Sequence, residues 1–350
     1  MLPEWVTQNC PDVSAAHRAA AIARQAQLTK PTGALGRLEQ LAVELAGLQA
    51  TEQPRAARVP IIVFAGDHGI VAQGVSAYPQ AVTIAMMANF ASGGAAISVL
   101  ARELGSSLEV VDAGTLAQEA MPDIVTDKPR RGTRDFSAEA ALTPAELVFA
   151  FEAGQRAVAR ASIDQPDLLI FGEMGIGNTT ASAAIAASLL GVSAEEIAGS
   201  GTGVDAAGRA RKARVIDAAI GHHGVAGASP EKILSAVGGL EIAAISGAII
   251  AAAQRRIPVL IDGFIVSVAA LAAVRLNPSC RPFLLPSHQS AEQGHRLVLR
   301  ALDVQSLISL DLRLGEGSGA AIALPLVRLA CSLHNGMATF AQANVPDRPS

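Results

Sequence analysis

Five short apolar runs punctuate the chain, and each gives way at once to polar or glycine-rich residues. They are VPIIVFAGDHG (Val59 to Gly69), LEVVDAGT (Leu108 to Thr115), LLIFGEMGIGNTT (Leu168 to Thr180), IPVLIDGF (Ile257 to Phe264) and PFLLPSHQS (Pro282 to Ser290). Continuous apolarity, rather than strict alternation, marks strands buried on both faces. Between the runs lie helical stretches with readable starts. Thr143-Pro144-Ala145-Glu146 and Ser193 with Glu196 form capping boxes, and Ser229-Pro230 opens a third helix. Strands alternating with helices predict an α/β fold: an open parallel sheet with helices on both faces and right-handed connections. Ligands bind such sheets at the carboxyl ends of the strands, and every polar cluster in the five runs falls there.

The beginning of the chain has a different rhythm. His17 to Gln49 is helical with one break at Lys30-Pro31-Thr32-Gly33 and contains no strand candidate. TEQPRAARVP (Thr51 to Pro60) reads as a linker into the first strand. Residues 1–50, completed by about 327–350 of the C-terminal helix, are therefore expected to form a small helical domain. Residues 51–326 then make the large α/β catalytic domain, and the tail NVPDRPS (Asn344 to Ser350) is expected to fray.

Composition narrows the function. Half of the 350 residues are hydrophobic but only 3% are aromatic, which suits close packing of small side chains on a sheet. A net charge of -4 leaves no electrostatic footprint for nucleic acid or anionic lipid. Cys10, Cys280 and Cys331 stand far apart without metal-finger or redox spacing, so a reducing cytoplasm is expected. The first twenty residues lack the basic start and apolar core of a signal peptide. Mean hydropathy is +0.36, and Leu240 to Val274 is the most apolar stretch. Gln254, Arg255, Arg256, Pro258 and Asp262 interrupt it, whereas a spanning helix needs ~20 apolar residues with few charges. Helix, buried strand, turn and second helix fit it better, and no membrane span is expected.

The third run carries the clearest chemistry. Gly172-x-x-x-x-Gly177 followed by Thr179 and Thr180 has nearly the spacing of a nucleotide P-loop, with Asn178 where that loop has lysine. A strand feeding a glycine turn into a helix N-terminus offers main-chain N–H groups and a favourable dipole to an anion. Without the lysine, the loop suits one phosphate used as an anchor rather than a triphosphate. The spacing alone is met equally by a tight strand-to-helix turn. GSGTGVDAAGRARK (Gly199 to Lys212) adds glycines, the hydroxyls of Ser200 and Thr202, and Lys212 downstream; VGGLE (Val237 to Glu241) is a third small-residue loop. Asp67-His68 lacks the third and fourth ligands of a zinc site, so no metal is expected. Ser76, Tyr78, Gln80 and Met86 could line a flat apolar slot with a polar rim, although spacing alone favours a helix with Met86 and Met87 in the core. Glu316 lies between Gly315 and Gly317 just before an Ala-rich helix, where a carboxylate either caps the helix or faces a ligand.

In order along the chain come LTKPTGALGRLE, AGDHGI, GVSAYPQ, GEMGIGNTT, GTGVD, VGGLEIAAISGA, LIDGFI, SHQSAEQGH and RLGEGSGAA. Together these blocks resemble the nicotinate-nucleotide–dimethylbenzimidazole phosphoribosyltransferases of cobalamin nucleotide-loop assembly. The likeness runs from roughly Leu28 to Pro325. It implies transfer of phosphoribose from nicotinate mononucleotide to 5,6-dimethylbenzimidazole, giving α-ribazole 5′-phosphate and nicotinate, with no cofactor. The resemblance makes Glu316 the general base and Glu173 a second carboxylate near the sugar. It assigns the phosphoribosyl group to Gly175, Gly177, Asn178, Thr179 and Thr180, with Gly201, Gly203, Lys212 and Ser290 in support. The acceptor base falls to Ser76, Tyr78, Gln80, Met86 and Leu314, and the expected assembly is a homodimer. Inversion from a β- to an α-riboside implies a single displacement, by analogy with inverting glycosidases. Two rivals are a P-loop-like kinase or ATPase, which Asn178 disfavours, and a non-catalytic nucleotide-binding protein.

Overall fold

In a computed structural model, described here for residues 1–201 and 203–346, the first four apolar runs each become one strand of a single sheet and the fifth is divided. The strands are β1 Ile61–Gly66, β2 Leu108–Gly114, β3 Val125–Thr126, β4 Leu169–Met174, β5 Val259–Ile261 and β6 Leu284–Pro286. All pair in parallel, in the order β3-β2-β1-β4-β5-β6. The fifth run continues into β7 His288–Gln289, which leaves the sheet to pair with β8 Ile308–Ser309. The edge strand β3 is only two residues long and half exposed, too short to leave an apolar signature.

The helices are α1 Ala15–Gln27, α2 Arg37–Gln49, α3 Ala81–Ala91, α4 Ala96–Leu104 and α5 Pro144–Ala161. They continue with α6 Asn178–Leu190, α7 Ala194–Ile197, α8 Ala206–His223, α9 Pro230–Val237 and α10 Leu240–Gln254. The last four are α11 Phe264–Leu276, α12 His295–Ala301, α13 Ser318–Gly336 and α14 Phe340–Ala343. Both expected capping boxes form, at Thr143 and Ser193, and Ser229 accepts from the Lys232 amide.

Side-chain parity assigns the layers. A Cβ on Gly66 would meet the Glu241 carboxylate of α10, whereas one on Gly172 would collide with the backbone of Glu316 and Gly317 at the start of α13. Because Val63 pairs with Gly172 and Phe64 with Glu173, Gly66 and Glu173 share the α10 face and Gly172 the other. Gly154 and Gly247 let α5 and α10 approach until backbone meets backbone. The apolar stretch from Leu240 to Val274 resolves into α10, β5 and α11, with nearly every residue buried. A different run, Ala81–Leu104, has the length and apolarity of a membrane-crossing helix; here it is α3 and α4, parted at Gly93-Gly94.

The terminal helices touch: Arg24 donates to the carbonyls of His334, Asn335 and Met337, and Leu28 bridges Thr339. A boundary between 326 and 327 nevertheless falls inside α13, which runs through Pro325 without interruption. Proline removes one intrahelical hydrogen bond, and burial of Leu324 and Val327 beside it maintains the helix.

Candidate active site

The strand order reverses between β1 and β4, since the chain winds outward from β1 to β3 and then from β4 to β6 in the opposite direction. Such a switch point opens a crevice at the carboxyl ends of the two strands. Asp67 and His68 follow β1, Gly175 follows β4, Asp262 follows β5, and Ser287 and His288 follow β6. A cavity of about 280 Å³ opens there, lined among others by Glu173, Gly175, Asn178, Thr179, Asp262 and His288.

The glycine loop is built as a cradle. Gly177 has φ +100, beyond easy reach of other residues, and a Cβ on Gly175 would strike the Gly66 carbonyl. Several loop amides already have protein partners. Ile176 N–H donates to Thr83 Oγ1, Asn178 N–H to the Gly175 carbonyl and Thr180 N–H to the Gly177 carbonyl. The amides of Gly177 and Thr179 have no such partner among the described residues. Asn178, standing in the lysine position, donates its side-chain amide to the Glu173 carboxylate. The cation comes from another helix: Lys212 Nζ of α8 donates to Thr179 Oγ1 at 2.8 Å. Lys212 is 1% exposed, and burial pulls its ammonium down to about 8, partly offset by Glu292.

The expected site residues divide into three groups. Tyr78, Glu173, Gly175, Asn178, Thr179, Gly201, Ser290 and Leu314 all line the cavity. Gly177, Lys212 and Glu316 lie directly behind that lining; Gly201 has no room for a Cβ because Thr179 and Lys212 fill the space. The others stand further off. Thr180 is fully buried in α6 with an unpartnered hydroxyl, so it is not presented to the cavity as an anion donor. Gly203 lies outside the lining, at φ +107 in the turn before α8. Ser290 keeps its place on the wall, but its hydroxyl already donates to the Leu312 carbonyl. Ser76 closes a local turn with Tyr78, and Gln80 donates to the His68 carbonyl. Met86 is half-buried and packs against the core. Thr202 lies outside the described residues, as does the end of the tail from Asp347.

Two carboxylates converge behind the cradle. Glu173 is pushed up to about 8, first by burial and then by Asp262, Glu241 and Glu316, with the Asn178 amide opposing. Glu316 is 5% exposed and accepts from the Ile97 amide at the start of α4; burial raises its carboxyl as well. Its backbone has φ +65 between Gly315 at +87 and Gly317 at +85, three consecutive left-handed residues. A glutamate held there is strained, and such strain concentrates at functional sites. Glycine is required at 315 because a Cβ would strike the Glu173 carboxylate, which packs Glu173 against the turn that holds Glu316.

Asp262, His288 and Arg313 also line the cavity and were not among the expected residues. Asp262 accepts from the Gly317 and Ala320 amides and fixes the start of α13. His288 is 3.8 Å from it. Arg313 reaches the Gly201 carbonyl from the rim. A signal existed for each: Asp262 and His288 end predicted strands, and Arg313 opens the RLGEG block. No group of three or more metal-ligating side chains occurs among the described residues.

Comparison with known proteins gives a consistent result. A family described as phosphoribosyltransferase matches residues 10–345. The nicotinate-nucleotide–dimethylbenzimidazole phosphoribosyltransferase of Bradyrhizobium diazoefficiens is 89% identical over 350 residues, covering 100% of both chains. That of Pseudomonas aeruginosa is 55% identical over 348 residues, 99% of each. The crystal structure of the Thermus thermophilus enzyme of this name superposes with a TM-score of 0.91 at 41% identity, covering 96% of this chain and 100% of that one.

Proposed function

The chain belongs to the nicotinate-nucleotide–dimethylbenzimidazole phosphoribosyltransferase family, and from this membership and the site's geometry we propose its reaction. Phosphoribose passes from nicotinate mononucleotide to 5,6-dimethylbenzimidazole. The 5′-phosphate seats on the cradle opening α6, held by free amides, the Thr179 hydroxyl and the Lys212 charge behind it. A benzimidazole nitrogen attacks C1′ from the face opposite the leaving ring. The C1′–N bond breaks and its electron pair returns to the pyridine nitrogen, so nicotinate leaves without a general acid. The ring proton of the attacking base passes to the Glu316 carboxylate. One base of this kind contributes ~10²–10⁴-fold.

The observation that carries this reading is the Glu173 carboxylate packed against Gly315, in the turn that holds Glu316, beside the glycine cradle. Positive charge persists through the reaction, first on the pyridinium, then on the sugar, then on the benzimidazole. A wall of buried carboxylates is electrostatically preorganised for it. We assign Glu173 to that charge and the sugar, and Tyr78 and Leu314 to the acceptor ring. The apolar, largely uncovered run Ala81–Leu104 supports a homodimer, and three free, buried cysteines support a reducing cytoplasm. Incubation with nicotinate mononucleotide and a panel of bases, with products identified by mass and anomer by NMR, tests the reaction. A β-riboside product would overturn the single displacement.

A further inference from the structure

His68 and Glu241 form a pair with His68 Nε2 2.6 Å from Glu241 Oε1, both side chains wholly buried. His68 Nδ1, Glu241 Oε2 and the neighbouring Asp67 Oδ1 have no partner. Stability does not account for such an arrangement, since a well-packed apolar pair would serve as well or better and unpaired buried polar atoms are rare. The chain also clears space for it: a Cβ on Gly239 would strike the imidazole, and one on Gly66 would sit 2.5 Å from Glu241 Oε2.

The pair touches both halves of the site. On the phosphate side, the His68 Cβ lies 3.0 Å from the position a Cβ on Gly177 would take. On the acceptor side, the His68 carbonyl accepts from Gln80 Nε2 at 2.8 Å, at the start of α3. Glu241 sits against Gly66, on the sheet face that also carries Glu173. We propose that the His68–Glu241 pair is a positioning element that locks the phosphate cradle to the acceptor slot and sets the Glu241 carboxylate behind Glu173. The role rests on the reaction proposed above.

The groups facing Glu173 are Asp262 from the end of β5, Glu241 from α10, Glu316 from the turn before α13 and the Asn178 amide from α6. Asp67 and His68, from the end of β1, face Glu241, and His288 faces Asp262. Burial first, and then the Asp262, Glu241 and Glu316 carboxylates, push the Glu173 carboxyl up, so Glu241 is one of the groups that set it.

The test compares wild type, Glu241→Gln and Glu241→Asp in steady-state turnover of nicotinate mononucleotide with dimethylbenzimidazole across pH, with nucleotide affinity measured by calorimetry. Glu241→Gln is expected to lower kcat at least ~10-fold while nucleotide affinity stays within about threefold. It should also move the pH limb of Glu173 down by about one unit, since a repelling charge is gone. Glu241→Asp should return that limb to the wild-type pH with kcat still reduced, because charge is restored and reach is not. Wild-type kcat and an unmoved limb in Glu241→Gln would overturn the proposal. If that variant does not fold, a Glu241→Asp enzyme with wild-type kcat overturns it instead. A wild type that makes no riboside product would refute the proposed reaction, and this role with it, before any variant is compared.

Discussion

The two halves of the crevice are built on opposite plans. On the phosphoribosyl side the groups are buried and interlocked: Lys212 is 1% exposed, Asn178 is tied to Glu173, and glycines bring backbone against backbone. On the acceptor side Tyr78 is 53% exposed and Leu314 60%, and the Ser76 turn closes on Tyr78 itself. A phosphate has one charge pattern and rewards a rigid socket of fixed donors. A flat heterocycle is gripped by area, which an open slot provides with less geometric demand. On the proposed reading, the contrast teaches that a preformed anchor holds the nucleotide while discrimination among acceptor bases rests on a rim that is not locked by packing.

The comparison can be broken first at the chemistry between the halves. Glu316→Gln should keep nucleotide affinity within about threefold and lower kcat by ~10²-fold or more, the scale of a lost general base; calorimetry and turnover together check this. Retained turnover would remove Glu316 from the mechanism. Next comes the anchor. Lys212→Met should raise the nucleotide KM ~10–100-fold, as expected for one charge-assisted hydrogen bond of ~1.5–3 kcal/mol, with a smaller change in kcat.

The acid–base behaviour sharpens the same point. The Lys212 ammonium, depressed by burial, carries its charge below about 8 and loses it above. Nucleotide KM should therefore climb as pH rises through that region, and the climb should be absent in Lys212→Met. Glu316 has the opposite sense: as the proposed base its raised carboxyl would have to be ionised, so kcat should fall as pH drops, beginning at a higher pH than for an ordinary glutamate. The smallest effects belong to the rim. Tyr78→Ala or Leu314→Ala should alter the dimethylbenzimidazole KM by only ~3–10-fold, since each side chain covers one edge of the ring and a few tens of Å² at ~25 cal/mol per Å² is worth about 1 kcal/mol. They should also broaden the range of bases accepted, which a competition assay read by mass would show.

Much of this was legible in the residues. Continuous apolar runs revealed five of the six sheet strands, and the strand-end rule located the crevice, because burial on both faces leaves no other pattern. Asn178 in the lysine position identified an unusual cradle but not its remedy. Lys212 reaches Thr179 only because α8 folds back across more than thirty residues of chain, a tertiary fact without local trace. Thr180, one helical step past Thr179, is fully buried in α6 rather than on the cavity wall, which spacing along the chain does not reveal. Ser290 lies on the wall, yet its hydroxyl is engaged with Leu312, a partner that sequence spacing could not anticipate. Asp262 and His288 were within reach of the strand-end rule.

Helix α13 begins at the turn holding Glu316 and ends where Arg24 grips the carbonyls of His334, Asn335 and Met337. Its nineteen residues make a rod of about 28 Å at ~1.5 Å per residue. The angle of the proposed proton acceptor is thus calibrated from a distant hinge as well as from the sheet beneath it. Clipping or loosening the chain ends would detune proton transfer while the nucleotide still docked, so inactivation would precede melting.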